Sequence, residues 1–189
     1  TTHVQSGAGH RRWEFMLLAD EEPADFEDPA AAWSLLAPWF TPADGVLTRH
    51  AVYEFRSMLA DRMRDGHVLL VGDAAHLTPP FLGQGLCSGL RDALNVAWKL
   101  DLVLRGEAGE PLLDTVDPER QPQNEWIIGF AVELGKVLCQ LDPVQAAERD
   151  TMLRSVDAPP PIGLPPLEQG VVHRGADGAP APLAGTLAV

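Results

Sequence analysis

The chain has 189 residues, of which 46% are hydrophobic and 22% charged, a balance that excludes wholesale disorder, collagen and coiled coil and leaves length for one domain, or one and part of another. With 27 acids against 14 bases the formal net charge is -13, which repels phosphate backbones and anionic lipid, so no nucleic-acid or membrane partner is expected. The two cysteines, Cys87 and Cys139, suggest neither a disulfide framework nor a metal site, and no basic leader or run of roughly 18 apolar residues is visible; the chain reads as soluble and cytoplasmic.

Trp13 to Ala19 is a short apolar-rich run and predicts a strand. Asp20 to Asp28 carries six acids and no base, which reads as a solvated loop. Asp28-Pro29 fits an N-cap and first-turn proline for a helix to about Phe40. Val46 to Arg56 alternates in polarity and predicts a second strand. After a turn at Asp65-Gly66, the apolar run His67 to Val71 has the pattern of a strand buried on both faces of a parallel sheet. Leu86, Leu90, Ala93, Leu94, Ala97, Leu100 and Leu104 form an apolar helical stripe that Gly106 stops. Two further helices are predicted, about Pro118 to Gln140 and Pro143 to Arg154, and from Ala158 a Pro- and Gly-rich tail reads as a linker or arm.

Chemistry is concentrated between the buried run and the striped helix. A strand that delivers Gly72-Asp73 at its carboxyl end, beside a helix amino terminus, has the layout of a ligand crevice in an open α/β sheet. Gly72 permits close approach of a ligand, and the Asp73 carboxylate can accept hydrogen bonds from sugar-like hydroxyls. Gly83 and Gly85 leave the amides of the helix start open, where the helix dipole favours negative charge. Taken singly, Gly-Asp is most often a turn and Gly-x-Gly a flexible loop. Their ordered combination within a short stretch is more specific.

Gly72-Asp73-Ala74-Ala75-His76, Pro79-Pro80, Gly83-Gln84-Gly85-Leu86 and the helix stretch Arg91 to Leu100 resemble the second FAD-binding motif of the class A flavoprotein aromatic hydroxylases, the para-hydroxybenzoate hydroxylase type. The resemblance runs through Glu119-Arg120-Gln121-Pro122 and Glu133-Leu134-Gly135, and is nearest to the 3-(3-hydroxyphenyl)propionate hydroxylase branch. It implies a mixed α/β fold with residues 1–65 ending a substrate-binding domain, 66–157 forming the carboxyl-side part of an FAD-binding domain, and 158–189 a linker or arm. It implies that Asp73 binds the ribityl chain of FAD, that Gly72 lets the cofactor lie against the strand end, and that the Pro80 carbonyl lies where substrate and flavin meet. It further implies that Gly83, Gln84 and Gly85 belong to the cofactor-binding loop, and that the backbone amides of Leu86 and Cys87 point at the N1–C2=O2 edge of the isoalloxazine. Reduced flavin is negative at that edge, which a helix amino terminus stabilises.

Cys87 stands where many members of the family carry Asn, and it reads as a packed residue in preference to a redox thiol. His76 reads as a structural histidine bonding the loop in preference to a general base. Trp98 and Trp126 read as core aromatics in preference to cofactor stackers. No G-x-G-x-x-G occurs in the chain, so the resemblance implies the carboxyl-side part of a hydroxylase that needs an amino-terminal FAD-binding part. The implied function is FAD-dependent hydroxylation of a phenolic or related aromatic substrate by dioxygen, through a flavin C4a-hydroperoxide and with NADH or NADPH as transient reductant. The alternatives are a non-catalytic fragment or interaction subunit of the same fold, and a non-hydroxylating FAD oxidoreductase. Homo-oligomerisation stays open.

Overall fold

The computed structural model describes residues 1–157 and 163–186. Its contacts divide the chain into a first unit, Thr1–Glu54, and a second from Phe55 onward.

In the first unit, strands β1 (Thr2–Gln5) and β2 (Arg11–Glu14) form an antiparallel hairpin with His3 opposite Trp13. Their rings stack at 4.6 Å, a cross-strand pair that supports the register. Asp28 caps helix α1 (Pro29–Leu36), its Oδ1 accepting from the Ala30 N–H at 2.8 Å. The helix stops short of the expected Phe40, because Trp39 and Phe40 both donate to the Leu36 carbonyl in a tightened final turn. Two strand expectations are corrected here. The run from Trp13 to Ala19 leaves the ladder at Glu14, and Val46 to Arg56 forms no strand. Alternating polarity suits a strand only where a neighbouring strand takes up its backbone groups, and among the described residues of this unit β1 and β2 pair only with each other.

The second unit opens with β3 (Met58–Leu59), β4 (Arg64–Asp65), β5 (Val68–Leu69) and β6 (His76–Leu77). β4 and β5 pair antiparallel around Gly66, whose φ of +58° is the left-handed conformation that the turn requires. β3 pairs antiparallel with β6. Among the described residues the apolar run at His67 to Val71 is therefore paired as half of an antiparallel hairpin, with no parallel partner, and Val68 is 61% exposed. An apolar run fixes neither the direction nor the identity of its partner.

Three helices follow: α2 (Gly85–Leu104), α3 (Val116–Leu138) and α4 (Pro143–Arg154). Gly106, at φ +72°, ends α2 as expected. Asp142 caps α4 through the Val144 and Gln145 amides. Met63, Ala75, Val96 and Val116 make the core, with Leu69, Leu70, Val71 and Leu100 against it. Most of the expected apolar stripe of α2 faces outward: Leu86, Leu90, Leu94 and Leu104 are exposed, and Leu100 turns inward. The buried face of α2 carries Ser88, Asp92, Val96 and Lys99. In the tail, Gln123 Nε2 donates to the Pro165 carbonyl at 3.0 Å and the Val171 N–H to Glu119 Oε1 at 2.7 Å, which ties the tail to α3 at Pro165 and Val171.

Candidate flavin-binding site

After β5 the chain turns sharply at Gly72, whose φ of +58° suits glycine. Gly72 to Ala74 make a 3-10 turn closed by the Ala75 N–H on the Gly72 carbonyl at 2.8 Å. Asp73, within that turn, is exposed. The turn sits on α2: a Cβ on Gly72 would lie 3.7 Å from the Gly89 Cα, and one on Gly89 3.4 Å from the Gly72 Cα. The pair of glycines thus lets two backbones meet, and places the Asp73 turn one helical turn from the start of α2.

The loop to α2 contains a second 3-10 turn, Pro80 to Leu82, which Gly83 ends at φ +61°. Pro79 is buried and Pro80 exposed, and the Pro80 carbonyl accepts from the Gly83 N–H at 2.9 Å. Behind this turn Phe81 packs on α3 at Gly135. Gln84 precedes α2 without a side-chain cap. Its Oε1 instead accepts from Arg91 Nη2 at 3.3 Å, tying the helix start to the next turns.

The α2 ladder begins with the Ser88 N–H on the Gln84 carbonyl at 2.8 Å, so the amides of Gly85, Leu86 and Cys87 precede it. Leu86 and Cys87 are exposed. A Cβ on Gly85 would meet nothing within 4 Å, and its φ is not left-handed. Among the described residues nothing therefore demands glycine at 85, whereas a ligand lying against uncapped amides would. These features fit the flavin part of FAD: a carboxylate for ribityl hydroxyls, and a dipole end with free donors for an anionic ring edge.

Beneath the turn lies a polar layer that the reading of the sequence quoted without giving it a role. Asp92, wholly buried, accepts from the Gly72 N–H at 3.0 Å and His76 Nε2 at 2.6 Å through Oδ2. Its Oδ1 accepts from Arg120 Nε at 2.8 Å and Asn124 Nδ2 at 3.4 Å. Burial pushes this carboxyl up, but the hydrogen bonds from His76, Arg120 and Gly72 and the Arg120 charge outweigh it and hold the pKa at about 2. Further along the same helices Lys99 Nζ meets Glu119 Oε2 at 2.7 Å, with Asn95 on both. Burial raises the Glu119 pKa, but Lys99, the Val171 amide and Asn95 bring it below its ordinary value. The available signal was periodic: Ser88, Asp92, Asn95 and Lys99 share one face of α2, and Glu119, Arg120, Gln123 and Asn124 one face of α3, with opposite charges in matching order.

His76 is 2% exposed and bound to Asp92, a structural histidine whose Nδ1 has no partner among the described residues. Cys87 is exposed and not packed. Trp98 is 41% exposed, which corrects its reading as a core aromatic; Trp126 is half-buried and stacks on Phe130 at 5.2 Å.

Known proteins resemble the chain over most of its length. Residues 7–131 match the FAD binding domain family. The chain is 38% identical over 187 residues to a probable NADH-specific resorcinol 4-hydroxylase of Rhodococcus jostii, covering 97% of this chain and 35% of that protein. It is 39% identical over 190 residues to a 3-(3-hydroxy-phenyl)propionate/3-hydroxycinnamic acid hydroxylase of Mycolicibacterium smegmatis, covering 95% of this chain and 34% of that one. The solved flavin-dependent monooxygenase PieE, in complex with FAD and substrate, superposes with a TM-score of 0.62 at 29% identity, covering 87% of this chain and 33% of PieE. The chain thus spans about a third of the length of the curated relatives it matches. A turn that offers a carboxylate, an uncapped helix start with a glycine cradle, and a family match over both lead to one conclusion: the chain belongs to the FAD binding domain family, with the flavin-dependent aromatic hydroxylases as its relatives.

Proposed function

We propose that this chain is the carboxyl-side portion of an FAD-dependent monooxygenase that hydroxylates a phenolic or related aromatic ring, using NADH or NADPH and dioxygen, in the cytoplasm. The observation that carries the reading is the contact of Gly72 with Gly89, which brings the Asp73 turn to the open start of α2. In this reading Asp73 holds the ribityl hydroxyls, and Gly72 and Gly85 admit the cofactor to backbone distance. Gly83 and Gln84 shape the approach, and the Leu86 and Cys87 amides face the anionic edge of the ring. Pro80 stands at the substrate side of the flavin. Bound there, FAD would supply the redox chemistry that links the nicotinamide reductant to dioxygen.

The residue boundaries follow the same reading, with 1–65 closing the substrate-binding domain, 66–157 belonging to the FAD-binding domain and 158–189 forming an arm. The exposed row Leu86, Leu90 and Leu94 supports a covering element from an amino-terminal FAD-binding part, since a contiguous apolar helix face is seldom left in water. Asp73→Ala in the full-length protein tests the assignment. Loss of charge-assisted hydrogen bonds worth about 1.5–3 kcal/mol should weaken FAD binding by roughly 10- to 150-fold. An unchanged dissociation constant by flavin fluorescence would refute it.

A further inference from the structure

Asp92 lies on α2 and reaches two points of the loop, the Gly72 N–H at its entry and His76 Nε2 at its exit. Between those points stand only Asp73, Ala74 and Ala75. The other oxygen of the same carboxylate is bound by Arg120 and Asn124 of α3, so the loop is referenced through one side chain to two helices. We propose that Asp92 is a positioning residue for the flavin: acting through Gly72 and His76, and without touching the cofactor, it sets where Asp73 presents its carboxylate. This rests on the reading of Asp73 as the ribityl ligand.

Filling volume does not require a buried ion pair, since apolar residues of similar size commonly serve as well. What a carboxylate adds is direction. An acceptor-only group with both oxygens engaged fixes the Gly72 N–H in a left-handed residue and makes His76 Nε2 the protonated nitrogen. The same two helices supply an internal control. Glu119 is equally buried and ion-paired, to Lys99, yet it bonds Asn95 and the Val171 amide and no atom of the flavin loop. A purely structural role for the polar layer would make the two carboxylates equivalent in their effect on FAD.

The experiment compares Asp92→Ala, Glu119→Gln and Asp73→Ala in the full-length protein, measuring the FAD dissociation constant and the melting temperature of the apoprotein. Asp92→Ala/Arg120→Met, which removes the buried charges together, carries the same test if the single variant does not fold. Asp92→Ala or the double variant should weaken FAD at least tenfold, whereas Glu119→Gln should lower the melting temperature with less than a threefold change in FAD affinity. FAD affinity within twofold of wild type for the Asp92 variant, or an equal loss in Glu119→Gln, overturns the positioning role. An unchanged affinity in Asp73→Ala shows instead that the flavin placement is wrong, and the inference falls with it.

Discussion

Gly135→Ala should destabilise the protein although helix propensity predicts the reverse. Within a helix, alanine is favoured over glycine by about 1 kcal/mol. At position 135, however, a Cβ would lie 2.5 Å from Phe81 Cε2 and 2.7 Å from Cδ2, well inside van der Waals contact. The phenyl ring belongs to the Pro80 to Leu82 turn, so it can yield only by an off-rotamer twist or by moving the turn. Overpacking of this kind costs about 1–3 kcal/mol, which leaves a net loss of about 0–2 kcal/mol. Urea unfolding of the full-length protein measures it, and Phe81→Leu supplies the second edge of a double-mutant cycle. With the ring gone, Gly135→Ala should become stabilising by about 1 kcal/mol. If alanine stabilises the wild-type background, or if its effect is the same with and without Phe81, the packing of α3 on the Pro80 to Leu82 turn is wrong.

Acid should act on the polar layer. Because the Asp92 pKa is held at about 2 against an ordinary 3.8, its contribution is complete above about pH 4 and is lost as pH falls through 2. That contribution is about 2 kcal/mol, and Asp92→Asn should flatten the acid limb of a stability-pH profile measured by urea unfolding. Lys99→Met should cost about 3–5 kcal/mol, since it leaves Glu119 buried without its cation; a loss below 1 kcal/mol in thermal or urea unfolding would show that the pair is dispensable.

The local grammar of the chain was readable from its residues. Asp28-Pro29, Asp142-Pro143 and Gly106 mark helix ends by chemistry that needs no distant partner. The Gly72-Asp73 turn and the glycines before α2 were readable for the same reason. The strands were not: His67 to Val71 and Val46 to Arg56 carry the right residue types, but pairing depends on which other strands are near. The sidedness of α2 failed differently. Its charged row was given no role, and the matching row on α3 turns it into an interior, with Asp92 on Arg120 and Lys99 on Glu119. The periodic rows become a signal only when α2 and α3 are compared with each other, because the partners lie some twenty to thirty residues apart.

The hydrogen bond from the Val171 amide to Glu119 gives the carboxyl-terminal segment a bearing on the centre of the molecule. Gly170 approaches Glu119 so closely, at φ +82°, that any larger residue would push the carboxylate away from Lys99. Trimming the chain before residue 163 would take one donor from that carboxylate and another hydrogen bond from Gln123. A protease nick in the tail would therefore be felt between α2 and α3, in the layer beneath the Gly72 to Ala74 turn, and the susceptibility of the tail to digestion becomes an external gauge of how well those two helices are locked together.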